Sequence, residues 1–518
     1  MFLSSSVGAL GVSLSLYILF RKWQFRQRAQ GCSLPPSRPA RFLLGHALEI
    51  PTENEARVFQ QWAEELGSDI YYIDAAGTPI VVLNTIELAN ELFEGRSAIY
   101  SSRPGSIMMN DLMGWDWVMS NMPYGQSWRE RRKLFQQHLH PSNRGIYEPY
   151  EQEQVNRLLA RLLDDPQGFL THARHVVGGL ALTLGYGLNV KAHNDPHVEV
   201  ATAATKAVTD AAVPGAFFVD FIPALRYVPE WFPGAGFQKK ARIWKGMMEE
   251  MRDRPFEDVE AKIASGIPAR PNFVSAAFDK LDPSKDVPHQ RQVIRDTAGM
   301  IFAAASDTTT SVIQTFFLAM VCYPQVQRRA QEELDRVLGG RLPEVKDEPD
   351  LPYISAMVKE VLRWRPATPI GIPHLSTSDD IFKGYFIPKG TIVIPNVWAM
   401  LHNPEVYPNP DEFNPDRYLK DGAFDPLVRD PGTMAFGFGR RTCAGAHIAE
   451  SMLFLTIASV LSAFSISKPV DENGKPVDVK PEYNRGIISR PVPFESFITP
   501  RSAEVARTIR NLQESDSA

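Results

Sequence analysis

Cysteine is scarce in this chain, with three residues among 518. Cys32, Cys322 and Cys443 are too few and too far apart for a disulfide framework or a zinc site. A reducing compartment therefore suits this composition. The chain also has little excess of either charge, because 55 basic and 60 acidic residues leave a net charge of −5. That small negative charge removes any case for nucleic-acid binding.

The chain also lacks a glycine-rich dinucleotide fingerprint, so it has no sequence signal for binding a nicotinamide or flavin cofactor itself. Its length permits several domains, and it equally permits one large enzyme domain. With 44% apolar and 22% charged residues, the composition is that of an ordinary globular protein. Length and composition alone do not decide the domain count.

Residues 1–20 carry no charge, and four basic residues follow at 21, 22, 26 and 28. This apolar run is just long enough to span a bilayer. A cleaved signal peptide is the alternative, but no A-x-A-like site precedes the basic residues. Because positive residues stay cytoplasmic, we predict one transmembrane anchor at 1–22 with the body in the cytosol. The basic, proline-rich residues 23–45 then form a stiff hinge.

Most of the body, which we place at 46–500, has helical patterns. Two strands are predicted at 70–74 and 79–83, so a small sheet begins there. The fold class is therefore mainly α with a small β region. Residues 501–518 are polar, and we expect them to fray.

A glycine-spaced loop from Phe436 to Ala446 delivers Cys443 to the start of an apolar helix. Its glycines permit positive φ and close approach of a flat or bulky group. The first helical turn would aim N–H groups at the sulfur and stabilise a thiolate, the form that binds metal. A buried core thiol is the alternative on composition alone. We interpret Cys443 as a metal ligand.

A second informative segment of the sequence is the apolar helix that ends before Pro324. If it begins near His289, its length is about 50 Å, enough to cross the whole domain. Its middle holds the run Ala304 to Thr310, AASDTTT, whose polar and β-branched residues suit a helix interior poorly. Such a local conflict indicates function. The alternative is a polar kink whose hydroxyls bond the carbonyls four residues earlier.

Two further pairs have helical spacing. Trp128 and Arg132 are four residues apart and share one face of a basic helix, which by itself also fits a merely solvated helix. Glu360 and Arg363 are one turn apart, a pairing that is common and weak when exposed.

The pattern F-x-x-G-x-R-x-C-x-G is filled by Phe436, Gly439, Arg441, Cys443 and Gly445. It resembles the proximal loop of the cytochromes P450, the haem-thiolate monooxygenases. The resemblance covers roughly residues 33–500. It implies the triangular-prism fold of that family, with haem b between the long central helix and the helix after the cysteine. Cys443 would be the axial ligand of the iron.

The resemblance also implies roles for other residues. Asp307 and Thr308 match the acid and alcohol of the oxygen-activation motif, in which Ala305 stands where the family usually has glycine. Arg417 supplies the second arginine of a structural cluster with Glu360 and Arg363. The remaining haem contacts implied are Trp128, Arg132 and His374, and the implied substrate contacts are Ile107, Met108, Leu112, Met113, Ala304, Ile370, Ile372 and Ile487. For residues 107–113, simple packing of the lid is an equal alternative.

The function implied is hydroxylation of an apolar small molecule with O₂ and NADPH-derived electrons. A separate NADPH–cytochrome P450 reductase would deliver them, with cytochrome b5 as a second donor, at a basic surface of Arg129, Arg131, Lys133 and Arg440. The sequence looks most like fungal microsomal biosynthetic members that act on terpenoid, polyketide or indole metabolites, in the endoplasmic reticulum membrane. The alternatives are an O₂-independent haem-thiolate isomerase or dehydratase, and a haem-binding sensor or carrier.

Overall fold

Helices make up most of the computed structural model, which describes residues 23–191, 195–213, 215–267 and 270–517. The predicted membrane anchor falls on residues 1–22, outside the described residues. The helices are α1 (Glu55–Leu66), α2 (Ile86–Asn90), α3 (Ser97–Tyr100), α4 (Gln126–Leu139), α5 (Arg144–Asp164), α6 (Phe169–Tyr186), α7 (Pro196–Ala211), α8 (Gly236–Ala264), α9 (Phe273–Phe278), α10 (Val287–Cys322), α11 (Pro324–Leu338), α12 (Pro352–Trp364), α13 (Val397–Leu401), α14 (Gly432–Ala435), α15 (Ala446–Ala463) and α16 (Ala503–Ser517).

Four strands form the largest sheet, in the order β1-β2-β6-β3. Strands β1 and β2 form where two strands were predicted and pair antiparallel, with Ile70 opposite Leu83, and β2 pairs parallel with β6. Three two-stranded sheets complete the β structure. The strands are β1 (Ile70–Ala75), β2 (Thr78–Leu83), β3 (His374–Leu375), β4 (Asp380–Phe382), β5 (Tyr385–Ile387), β6 (Ile392–Pro395), β7 (Leu419–Lys420), β8 (Ala423–Phe424), β9 (Phe464–Ser467) and β10 (Phe497–Pro500).

Helix α10 is the centre of the packing, with 36 residues and thus a length of about 54 Å. The Asp286 carboxylate caps its start by accepting the His289 N–H at 3.0 Å. Helices α4, α6, α7, α8, α12 and α15 all contact it. A helix surrounded in this way is buried on every side over most of its length, which explains the missing amphipathic pattern in its sequence.

Helix α15 follows Cys443 and lies in the core. Among the described residues it is the one helix long and apolar enough to cross a membrane, and 67% of it is buried inside the protein. Its apolar composition therefore reflects core packing. It begins at Ala446, as the sequence predicts, and ends where β9 begins at Phe464.

The expectation of a fraying tail after residue 501 is wrong over 503–513. Helix α16 forms there and packs against α5, with Ile509 fully buried. Arg501, just before it, binds the Asp335 carboxylate with two hydrogen bonds of 2.6 and 2.9 Å. The sequence is polar because only one stripe of this helix meets the protein.

Candidate functional site

A cavity of about 330 Å³ lies between the middle of α10 and the loop that precedes α15. Cys443 lines one wall, and Ala304, Ala305 and Thr308 line another. The two sequence elements on which the prediction depended therefore face the same space. Most of the remaining lining is apolar, and it comes from α4, α6, α10 and α15 together with the cysteine loop and the loop after α12.

The loop before Cys443 is held by backbone contacts. Cys443 N–H donates to the Phe436 carbonyl at 2.8 Å, which closes the loop on itself. Gly439 has φ +54°, and a Cβ there would lie 2.2 Å from the Phe93 carbonyl oxygen, so only glycine fits. The expected positive φ does not occur at Gly445, whose φ is −100°. Gly445 instead occupies the cap position at the start of α15.

The accessible surface of Cys443 faces the cavity that it lines, while the residue is otherwise enclosed by protein. This burial raises the pKa of its thiol. The Gly445 N–H and the Arg132 guanidinium act in the opposite direction and lower that pKa. The expected N–H contact from the helix start is therefore present, and it comes from one residue.

Basic side chains line part of the cavity. Arg103, Arg132, Arg441 and His374 all line it, and among the described residues no Asp or Glu does. A group of cations without a facing anion is costly inside a protein. The cavity is therefore suited to a ligand that brings its own carboxylates.

Trp128 and Arg132 lie side by side as their spacing predicts, and both line the cavity. Arg132 Nη1 donates to the Thr442 carbonyl at 2.8 Å, which ties α4 to the cysteine loop. Arg441 lies over the Trp128 ring at 4.9 Å. Its three nitrogens donate to the Ser101, Met119 and Met122 carbonyls at 2.6–2.8 Å, so Arg441 also fixes the 101–122 segment.

His374 lines the cavity with a neutral ring. Its Nδ1 lies 2.6 Å from the Tyr100 carbonyl oxygen and must donate to it, so Nε2 is left as an acceptor. Burial, with Arg103 and Arg441 nearby, holds the pKa of His374 well below its usual range. An anionic group in the cavity would raise this pKa, which is the condition under which Nε2 could donate to it.

Arg103 is a cavity residue that sequence reasoning missed. It is 6% exposed, and its Nη1 donates to the Ile372 and Pro373 carbonyls at 2.5 and 2.9 Å. Its Nε is buried without a partner among the described residues. The one sequence signal was an arginine before Pro104 in a loop without periodicity, too weak to separate it from a surface residue.

The polar run in α10 does not break the helix, which continues through it. The hydroxyls of Ser306, Thr308 and Thr310 donate to the carbonyls four residues earlier at 2.6–2.8 Å. Of these three, Thr308 lines the cavity. Asp307 does not line it, since its carboxylate points to Arg490, with both shortest contacts at 3.2 Å.

Only part of the expected substrate lining is in the cavity wall. Ala304 and Ile372 line it. Met108 and Met113 are fully buried in the main core, and Ile107 and Leu112 pack against that core. Ile370 packs on a separate cluster with α1 and the sheet, because Gly371 with φ +58° breaks the extended alternation between 370 and 372. Ile487 is not part of the wall either.

Other cavity residues were not anticipated as substrate contacts. They are apolar except for three hydroxyl side chains, and they come from the 118–120 segment, α6, α10 and the loop after α12. These residues are Val118, Met119, Ser120, Val177, Leu180, Ala181, Leu184, Met300, Ile301, Thr309 and Thr368. The sequence did not distinguish the cavity residues of α6, because the same apolar pattern is found in helices that only pack in the core.

Glu360 forms the centre of a buried ionic cluster. Arg363 binds it with two bonds of 2.8 and 2.9 Å, and Arg417 Nε lies 3.1 Å from both oxygens. Asn414 N–H and the Tyr418 hydroxyl donate to it as well. The three residues thus lie together as the resemblance implied, and they lie outside the cavity wall.

The predicted basic surface is wrong at Arg131. This side chain is 5% exposed and binds Asp296 of α10 at 2.6 Å, because position 131 faces inward on α4. Arg129, Lys133 and Arg440 are exposed. Arg129 and Arg440 both lie over the Tyr124 ring, at 5.6 and 5.2 Å. The exposed basic surface therefore consists of Arg129 and Arg440 on Tyr124, with Lys133 one turn after Arg129 on α4.

The residues around the cavity fit a haem group. A cysteine sulfur is available as a ligand, the walls are apolar, and four cationic or potentially cationic side chains lack an anion. The unpartnered Arg103 Nε is a donor left for a carboxylate such as a haem propionate. Cys443 would hold the iron, and Trp128, Arg132, Arg103 and His374 would lie towards the propionates.

Comparison with known proteins agrees with this site. The family model described as Cytochrome P450 matches residues 35–496. Cytochrome P450 monooxygenase ple1 of Rhodocybe pseudopiperita is 44% identical over 94% of this chain and 93% of its own length. Tryptamine 4-monooxygenase of Psilocybe cyanescens is 40% identical over 93% and 96%, and cytochrome P450 monooxygenase 98 of Postia placenta is 42% identical over 93% of both chains. The chain therefore belongs to the cytochrome P450 family, whose members bind haem through a cysteine thiolate, and it is a monooxygenase of that family.

Proposed function

We propose that this protein hydroxylates, or otherwise oxidises, a neutral apolar small molecule in fungal secondary metabolism. The observation that carries the proposal is the single cavity in which the Cys443 thiol faces Ala304, Ala305 and Thr308. The bound haem supplies activation of O₂ with NADPH-derived electrons. The apolar walls exclude water and hold the substrate.

Thr308 and Asp307 are the proton-handling residues of the proposal. Thr308 holds a hydroxyl proton at the cavity wall while its Oγ1 is oriented by the Ala304 carbonyl at 2.8 Å. Asp307, adjacent in the chain and buried behind the wall, is the acid that replaces this proton. Positioned proton donors typically contribute about 10²- to 10⁴-fold in rate.

The substrate class follows from the wall chemistry. The described lining contains hydroxyls at Ser120, Thr308, Thr309 and Thr368 but no carboxylate that would pair with an ammonium group. A terpenoid, a polyketide or an indole without a charged amine suits such a wall. The relative named tryptamine 4-monooxygenase supports the indole class through the indole ring of tryptamine, whereas the amine of tryptamine would find no carboxylate in the described lining of this cavity.

A separate NADPH–cytochrome P450 reductase is the proposed electron donor, with cytochrome b5 as a second one. Its docking surface is Arg129, Lys133 and Arg440, next to the cysteine loop. Charge pairing of this kind mainly raises association rates, and salt screens it, with a Debye length of about 10 Å at 0.1 M.

Attachment to the endoplasmic reticulum membrane is proposed through residues 1–22, with the catalytic domain in the cytosol. The segment between α7 and α8 supports it. Six large apolar side chains there are exposed, Phe218, Phe221, Ile222, Tyr227, Trp231 and Phe232, with Trp231 at 80%. A cluster of this kind marks an interaction site, and its aromatic members suit a lipid interface.

The deciding experiment reconstitutes the full chain with reductase, NADPH and O₂ and compares Cys443→Ala with Cys322→Ala. Cys322 is a half-buried thiol whose Sγ donates to the Val479 carbonyl, and it does not line the cavity, so it is the matched control. Only Cys443→Ala should lose the thiolate-shifted Soret band of the reduced carbon monoxide complex. A surviving band would overturn the ligand assignment.

The same reconstitution separates the rival functions. A monooxygenase consumes NADPH and O₂ and forms oxygenated product. An isomerase or dehydratase would form product without consuming O₂, and a sensor or carrier would bind ligand and form no product. Ligand screening by the shift of the Soret band would supply the substrate for the test.

A further inference from the structure

A row of polar residues on α10 binds the C-terminal part of the chain. Asp307, Ser311 and Thr315 are spaced four residues apart and therefore share one face of the helix. All three are buried, at 3%, 0% and 0% exposure. Each has a polar partner in the segment 483–490, which we call the C-terminal strap.

The three contacts follow the strap along the helix. Arg490 binds the Asp307 carboxylate with Nη1–Oδ1 and Nη2–Oδ2 distances of 3.2 Å. The Ser311 hydroxyl donates to the Ser489 carbonyl, and the Tyr483 hydroxyl donates to Thr315 Oγ1 at 3.1 Å. These three polar residues of α10, none of which lines the cavity, therefore bind the C-terminal strap.

The strap is itself fixed. Arg490 N–H donates to Asn484 Oδ1 at 2.6 Å, and Asn484 N–H donates to the Arg490 carbonyl at 2.8 Å, so the strap closes on itself. Ser489 N–H donates to the Ala367 carbonyl at 2.8 Å, and Ala367 lines the cavity. The strap thus contacts both the Asp307 carboxylate and the cavity wall.

Asp307 has few charged neighbours. From α6 it faces Arg174, from α7 the Thr205 hydroxyl, and from the strap Arg490. Burial raises the pKa of Asp307, and these three neighbours lower it, with Arg490 as the first of them. Arg490 is 8% exposed, and it is the cation that hydrogen-bonds the carboxylate.

We propose that Arg490 is a positioning residue, which keeps Asp307 ionised and oriented behind the cavity wall so that it can accept a proton from solvent and pass it to Thr308. The inference rests on the proton relay of the proposed function. A permanently protonated Asp307 has no free site for a further proton, so losing Arg490 impairs the relay without touching the cavity wall.

The first test uses thermal unfolding of the ferric holoenzyme, so it does not depend on turnover. The variants are Arg490→Gln, Asp307→Asn and the double variant, between about pH 6 and pH 8. An acid with a raised pKa makes the folded state bind more protons than the unfolded state, so stability falls as pH rises. Arg490→Gln should steepen this fall relative to wild type. In the Asp307→Asn background, Arg490→Gln should no longer change the slope of stability against pH.

Arg485→Gln is the matched control. Arg485 lies in the same strap, its side chain is 63% exposed, and it pairs with Glu53. Its replacement removes the same charge and should leave the pH dependence of unfolding at the wild-type slope. Equal slopes for Arg490→Gln and wild type would overturn the inference, whatever turnover shows.

The second test measures the ratio of product formed to NADPH consumed against pH. An opposite charge in contact typically lowers a carboxyl pKa by about 1–3 units, so Arg490→Gln should move the acid limb of this ratio upward by about 1–3 pH units. Arg490→Lys should restore part of the shift because it restores the charge. A limb that stays in place in Arg490→Gln contradicts the positioning role.

The two tests fail separately. If the unfolding slopes behave as expected while Asp307→Asn leaves the product ratio at the wild-type value, the relay of the proposed function is wrong, although Arg490 does set the charge of Asp307. If Asp307→Asn lowers the ratio but Arg490→Gln changes neither slope nor limb, the relay stands and the role of Arg490 is wrong.

Discussion

Glu360 and Asp307 are two of the buried carboxylates that bind arginine in this protein, and their hydrogen-bond partners differ. Glu360 accepts hydrogen bonds from Arg363, Arg417, the Asn414 N–H and the Tyr418 hydroxyl at 2.8–3.2 Å. Both arginines of this cluster also donate to backbone carbonyls. Asp307 has one hydrogen-bonded cation at 3.2 Å, and the Nε of that Arg490 has no partner among the described residues.

Under the proposed relay, this difference distinguishes a carboxylate that stabilises the fold from one that exchanges protons. Every acceptor position of Glu360 is in use, so a proton has no place there without breaking the cluster. Asp307 retains acceptor capacity and lies one residue from a hydroxyl at the cavity wall. A saturated ion cluster fixes the fold, whereas a sparsely bonded one can change its protonation state during a reaction.

The largest effect is expected for Glu360→Gln. Removing this charge leaves two arginines, at 0% and 6% side-chain exposure, without their anion. Breaking a buried pair in this way typically costs about 3–5 kcal/mol of unfolding free energy. We expect most of the folded, haem-loaded protein to be lost, as measured by haem content and thermal unfolding.

Glu250→Gln is the control, because Glu250 forms an exposed pair with Arg254, at 48% side-chain exposure for both. Such pairs are worth about 0–1 kcal/mol. If the two variants lose equal stability, the Glu360 cluster is not a structural element.

A third buried carboxylate extends the comparison to a site without a bound cation. Glu151 of α5 is fully buried, and the Ser451 hydroxyl of α15 donates to it at 2.6 Å. Burial raises its pKa to about 8. Because the folded state then holds a proton that the unfolded state releases, stability should fall as pH rises from about 4.5 to 8.

Glu151→Gln should remove this part of the pH dependence and stabilise the protein at about pH 8, on the order of 2 kcal/mol. The measurement is the denaturation midpoint against pH for both proteins. An unchanged slope in the variant would show that Glu151 ionises in the folded state without penalty.

A smaller effect on stability is expected at the cavity wall. Thr308→Ala removes one hydroxyl whose one partner among the described residues is the Ala304 carbonyl, so unfolding should change by about 1 kcal/mol or less. The ratio of product to NADPH consumed should nevertheless fall, with hydrogen peroxide released instead. Haem content and the substrate-induced spectral change should stay at wild-type levels.

Thr310→Ala is the matched control for this variant. Thr310 makes the same bond four residues back, to the Ser306 carbonyl at 2.6 Å, and is fully buried away from the cavity wall. Its replacement should affect stability and leave the product ratio unchanged. A normal ratio in Thr308→Ala would mean that Thr308 is structural as well.

The smallest effect on stability is expected for exposed charges with no buried partner. Replacing Arg129 and Lys133 by glutamate should change unfolding by about 0.5 kcal/mol or less. It should raise the apparent KM for reductase while peroxide-driven turnover stays unchanged. An unchanged dependence on reductase would remove this surface from electron transfer.

Elements with local sequence signals were predictable. The cysteine loop, the helix after it, the long α10 and the pair Trp128 and Arg132 are where spacing and composition predicted them, because each depends on neighbours within a few turns. The small β region was also predictable, since strand alternation and the Ala76-Gly77 turn are short-range features.

Which polar side chains meet across elements depends on how those elements pack, and this was not predictable from the sequence. Arg103, Arg131 and Arg490 look alike in sequence, yet one lines the cavity, one binds Asp296 and one binds Asp307. The cavity wall was mispredicted for the same reason. An apolar residue gives the same sequence pattern whether its side chain faces the core or a cavity. Burial and pairing arise from elements more than a hundred residues apart, and no local pattern encodes that distance.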